Sequence, residues 1–193
     1  MPPTLANRLG TTQHLSPLLM KAKRLGLENF EDLERLAVHR GLRYYDLFGD
    51  STTLSTGHNQ PPALPSHDSF TNEELAVALL SPAAPYSMQR LRMSAAMMAA
   101  DGNDPTTIAR LAKWDRSEAI VRYIASCGQM AEPDNPLWSQ LLAELPESTP
   151  HPHDALPHFT RFVAMTGITR AGKRPLMKWI KPEQRCIHEQ QSQ

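Results

Sequence analysis

Apolar residues recur along this chain at intervals of three and four, in short runs separated by clusters of Pro, Gly, Ser, Asp and Asn. That rhythm predicts amphipathic helices that each bury one stripe. Leu18, Leu19, Ala22 and Leu25 form the first stripe. Ser16-Pro17 opens it as an N-cap followed by a first-turn proline, and Gly26 is placed to end it. Phe30, Leu33, Leu36 and Ala37 form the second, opened by Asn29 with Asp32 three residues on as a weaker form of the capping box, and ended by Gly41. Leu75, Val77, Leu79 and Leu80 follow a Thr71 or Asn72 cap and stop at Ser81-Pro82. Met88, Leu91, Ala95 and Met98 come next, ended by Asp101-Gly102-Asn103. Asp104-Pro105 then starts a helix carrying Ile108, Leu111 and Ala112. Ile120, Val121, Ile124 and Ala125 mark another, with Gly128 as its expected end. Asn135-Pro136 opens the last, with Leu137, Trp138, Leu141, Leu142 and Leu145.

Short helices joined by well-signalled turns predict a mainly α fold, a short-helix bundle or a stacked helical array. Beyond residue 160 the pattern changes. Arg161 to Thr166 has β propensity, Gly167 to Gly172 reads as a turn, and Leu176 to Ile180 fits a partner strand. A small C-terminal β-hairpin is therefore expected. The chain divides into an N-terminal helix pair (1–49), a Pro/Ser/Thr linker (50–70) and a main helical domain (71–145). A Pro-rich connector, the basic hairpin-like element and a polar tail make up 146–193. Seventeen prolines against a 40% hydrophobic fraction fit a modest core with irregular connectors.

Lysines and arginines number 20, as do aspartates and glutamates, so any attraction to a polyanion or a membrane must be local. Two distant cysteines, Cys127 and Cys186, form neither a disulfide framework nor a metal motif. The N-terminus has no signal-peptide h-region, and no apolar run is long enough to span a bilayer. A cytoplasmic protein with no membrane contact and no cofactor is expected.

Several motif fragments bear on function. Gly167-Ile168-Thr169-Arg170-Ala171-Gly172-Lys173 matches the opening of a phosphate-binding loop. However, Arg174 and Pro175 stand where the hydroxyl ligand for magnesium and the helix should begin, so a basic turn is expected. Arg170, Lys173, Arg174, Lys178 and Lys181 surround Trp179 in a stretch with few acids. Interleaved cations and an indole suit contact with a partner or a nucleic acid. His151, His153, Asp154 and His158 lie close in sequence, but a proline-rich connector is a poor frame for a metal. Met88, Met93, Met97, Met98 and Met20 are expected in the core. Residues 107–124 have the outline of a helix-turn-helix, although the expected turn glycine near Lys113 is missing.

Arg90 or Arg92, Gly102, Trp114 and Tyr123 follow in that order, with Tyr123 nine positions after Trp114. In this order and interval the segment resembles the C-terminal catalytic segment of tyrosine recombinases. The resemblance implies DNA strand transfer with Tyr123 as nucleophile. It covers residues 87–123 only. Ser87 replaces the family's histidine, and the interval from either arginine to Gly102 departs from the pattern. Little chain remains upstream for the family's first catalytic arginine, and phosphoryl transfer needs such cations. The reading carried forward is a non-enzymatic helical protein that binds a macromolecule. A protein partner comes first and nucleic acid second; the Tyr123 enzyme is the alternative.

Overall fold

The computed structural model describes residues 3–40, 42, 64–66, 68–100, 102–146, 152 and 154–158. Eight helices account for most of them: α1 (Leu5–Leu9), α2 (Pro17–Arg24), α3 (Phe30–His39), α4 (Asn72–Ala78), α5 (Met88–Met98), α6 (Pro105–Trp114), α7 (Glu118–Ala131) and α8 (Pro136–Glu144). The expected hairpin over 161–180 lies outside the described residues. No helix among those described is long and apolar enough to cross a membrane.

The local signals explain where the helices begin. Every helix except α7 starts on a side-chain cap: Thr4, Ser16, Asn29, Thr71, Ser87, Asp104 and Asn135 accept a first-turn N–H. Asn29 with Asp32, and Thr71 with Glu74, form complete capping boxes. Pro17, Pro105 and Pro136 occupy the first helical position, where a missing N–H costs nothing. The five-residue α1 has no counterpart in the periodicity reading. An isolated antiparallel bridge between Thr4 and Pro85 holds it in place. Leu5 N–H donates to the Ala84 carbonyl at 2.7 Å, and Tyr86 N–H to that of Pro3 at 2.8 Å.

The centre of the molecule is the α4–α5 pair. Leu75 to Pro82 and Leu91 to Ala100 are buried without interruption, as helices enclosed on all sides must be. α4 packs on α2, α3, α5 and α6, while α8 lies across α6 and α7. Leucines of α1, α2 and α3 join the same apolar cluster as the buried apolar residues of α6, α7 and α8. Polar ties cross this frame. Lys21 pairs with Glu74 at 2.6 Å and Arg90 with Glu34 at 2.7 Å. The buried guanidinium of Arg40 donates to Asn72 Oδ1 at 3.0 Å and to the Phe70 carbonyl. Burial draws its pKa down to about 10.

One expected helix end is corrected. α7 continues through Gly128 to Ala131. The glycine does not stop the helix; it admits the ring of Trp138 from α8.

Candidate functional site

α6 is amphipathic, with Ile108, Ala109, Leu111 and Ala112 buried. Its outer face carries Thr106, Arg110, Lys113 and Trp114, all exposed. The helix closes in a Schellman turn: Ser117 N–H donates to the Ala112 carbonyl at 2.9 Å and Arg116 N–H to that of Lys113 at 3.3 Å. This turn needs one residue in the left-handed region. Arg116 takes it, with φ +53. The left-handed residue between α6 and α7 is thus three positions beyond the place where a helix-turn-helix glycine was sought, and it is not glycine.

α7 has little free side chain to offer a DNA groove. Ile120, Val121, Ile124, Ala125 and Cys127 are buried. Arg122 donates to the Leu142 and Leu145 carbonyls at 2.9 and 2.8 Å, closing the end of α8. Only Gln129 and Met130, near its far end, are exposed.

Asp115, which follows Trp114, is fully buried. Its Oδ1 accepts from the Ser16 hydroxyl at 2.5 Å and from Leu18 N–H at 3.3 Å. His14 Nε2–H donates to the Asp115 carbonyl at 2.8 Å. Burial pushes the Asp115 carboxyl up, against the opposing pull of those hydrogen bonds and of His14. Ser, His and Asp meet here, but not as a nucleophilic set. The serine donates to the carboxylate itself and the histidine to a main-chain oxygen, so no imidazole faces the hydroxyl. The arrangement is a clasp that fixes residues 14–18 against the end of α6. Between its two contact points Leu15 is left 75% exposed, and on the other strand of the clasp Trp114 is 55% exposed.

The recombinase-like residues are dispersed by role. Arg90 is tied to Glu34 and to the Pro85 carbonyl, and its guanidinium stacks over Phe30. Arg92 is buried within α5. Tyr123 donates its hydroxyl to the Pro157 carbonyl at 2.6 Å, and burial raises its pKa above the usual phenol range. One turn on, burial pushes the Cys127 thiol up to about 11. Both shifts favour neutral groups, the opposite of an activated nucleophile.

Arg170, Lys173, Arg174, Lys178, Trp179 and Lys181 lie outside the described residues, as do the phosphate-loop fragment, His151 and His153. His158 is exposed. Among the described residues no three His, Cys, Asp or Glu side chains come together as a metal site. Met93, Met97 and Met98 are core residues, Met88 is half-buried and Met20 is exposed. No family model matches the chain, and no curated protein or solved structure matches it significantly.

In the sequence Trp114 stands out only through the recombinase-like spacing, and Arg110 and Arg116 only as members of the 107–124 segment. Leu15 had no signal beyond its place just before the Ser16 cap. Their association depends on the Ser16–Asp115 contact, which joins positions 99 apart.

Proposed function

We propose that the protein is a helical binding module that recognises another protein through the edge built on Leu15 and Trp114, with Arg110, Lys113 and Arg116 beside them. The observation that carries this reading is Trp114, more than half exposed at the end of a helix that the clasp holds still. Tryptophan and arginine are the side chains most often found at the energetic centre of protein interfaces. A rigid base lowers the ordering cost of binding. The basic segment from Arg170 to Lys181 supplies a second, electrostatic contact in the same reading. Ser16, Arg90, Arg122 and Tyr123 are each engaged inside the fold, which favours binding over catalysis.

A photo-crosslinking amino acid in place of Trp114 tests this in native lysate. The expected product is a protein adduct that excess unmodified chain suppresses. Absence of an adduct, or an adduct that nuclease removes, would overturn the reading.

A further inference from the structure

Resting on that reading, the chemistry of the edge narrows its partner. Arg110, Lys113 and Arg116 are exposed, and among the described residues none of their side chains makes a hydrogen bond or a close ion pair. By contrast Arg8, Arg40, Arg90, Arg122 and Lys21 are each committed to a carbonyl or a carboxylate. Arg110 is close enough to Asp104 to help lower its pKa, whereas Lys113 in the last turn of α6 and Arg116 just past its end have no such acid beside them among the described residues. No exposed acid stands between them: Asp115, between Lys113 and Arg116 in sequence, is buried inside the clasp, Glu118 is half-buried, and Asp104 caps the other end of α6.

The turn itself points to retention of charge. Its left-handed position is one that glycine fills without strain, yet an arginine stands there whose side chain makes no hydrogen bond or ion pair among the described residues. Strain held at an exposed, unengaged side chain is a pointer to a role outside the fold.

Leu15 decides between two classes of anionic partner. A phosphate backbone has nothing apolar to lay against an aliphatic side chain that is three-quarters exposed. Three cations would also release only about three counterions from a duplex, which makes weak binding at physiological salt. A polypeptide satisfies both halves of the edge. Its carboxylates meet the cations, and one large apolar side chain covers Leu15 and the Trp114 ring.

We infer that this edge takes an acidic polypeptide segment in which glutamates or aspartates flank a large apolar residue. The test uses the full chain and a fluorescein-labelled short peptide with Phe and Leu at its centre and Glu on both sides, read by anisotropy at two salt concentrations. Leu15→Ser and Trp114→Ser are each expected to weaken binding about tenfold, the scale of an interface hot spot. The double variant Lys113→Glu with Arg116→Glu should do the same and flatten the salt dependence. Lys23→Glu with Arg24→Glu, exposed on α2, should leave binding unchanged. Circular dichroism confirms that each variant folds. Unsaturable binding by the parent chain, equal binding by Leu15→Ser and Trp114→Ser, or tighter binding of random duplex DNA would each overturn the inference. If position 114 crosslinks to a protein in lysate while the peptide fails to bind, the acidic partner is wrong and the binding module stands. If neither occurs, both fall.

Discussion

Gly128 and Trp138 approach so closely that a β-carbon on the glycine would lie 2.4 Å from the indole ring. Trp138 is completely buried, and its Nε1–H donates to Glu132 Oε2 at 3.0 Å, so the ring has no easy escape. The α7–α8 contact is therefore built around a missing side chain. Alanine in mid-helix would ordinarily gain about 1 kcal/mol over glycine. Here the overlap is with a rigid ring rather than a flexible chain end. Gly128→Ala is expected to lose about 2 kcal/mol net. Urea unfolding followed by circular dichroism measures it. A Trp138→Leu background should recover part of the loss, because the obstructing ring is gone; an equal loss in both backgrounds would show that the contact is not the cause.

That glycine also shows how far the sequence could be read. Helix starts were legible because they are local: Ser16-Pro17, Asp104-Pro105 and Asn135-Pro136 each carry a cap and a first-turn proline within two residues. Gly128 was misread because glycine after an apolar run ordinarily means a helix end, and only the arrival of Trp138 ten residues later gives it another meaning. α1 went unmarked because five residues with Leu5, Ala6 and Leu9 are too few to establish a period. The candidate edge is less legible still. It needs Ser16 to reach Asp115 across most of the chain, and Arg116 to occupy a backbone conformation associated with glycine.

Asp115 should leave a mark on the pH dependence of stability. Its folded pKa is raised above the ordinary aspartate value by burial. Between those two values the native state holds the proton and the unfolded chain does not. Stability contributed by this group is therefore greatest on the acid side and falls as pH rises through the window. Asp104 acts in the opposite sense, since the Thr107 hydroxyl bond lowers its pKa and its contribution is lost as pH falls. The informative quantity is the difference between the parent chain and Asp115→Asn, measured by denaturation from acid to neutral pH. Asn keeps an acceptor for Ser16 and Leu18, and the difference should change with pH in the direction stated. A flat difference would contradict a buried, titrating carboxyl. Asp115→Ala, which leaves the Ser16 hydroxyl without its acceptor, should lose about 1–3 kcal/mol at neutral pH.

Tyr123 separates packing from catalysis. Its hydroxyl bond to the Pro157 carbonyl holds residues 154–158 against α7, together with Arg8, which donates to the Asp154 and Ala155 carbonyls at 2.8 Å. Tyr123→Phe is expected to lose about 1 kcal/mol and to speed amide exchange in 155–158, with no covalent DNA adduct formed by the parent chain. An adduct with a nicked duplex that disappears in Tyr123→Phe would instead establish the strand-transfer reading. Cys127 reports on the same packing. In a Cys186→Ser background its thiol, buried and pushed up to about 11, should stay unreactive to a disulfide reagent near neutral pH until the protein unfolds.

Arg116→Gly tests whether the edge holds a residue at the expense of stability. A non-glycine residue in the left-handed region costs roughly 1 kcal/mol. The Arg116 side chain recovers none of it through a hydrogen bond or ion pair among the described residues. Glycine loses more backbone freedom on folding, which offsets part of the gain. The net expectation is a stabilisation of about 0.5 kcal/mol, or a melting temperature raised by about 1–2 °C for a chain of this size. The same variant removes one of the three exposed cations, so the acidic peptide should bind it less tightly and with a shallower salt dependence. Higher stability with weaker binding is the pattern of a residue kept for contact. A stability loss would mean that the arginine side chain has a structural task, and the strain argument for a binding edge would fail.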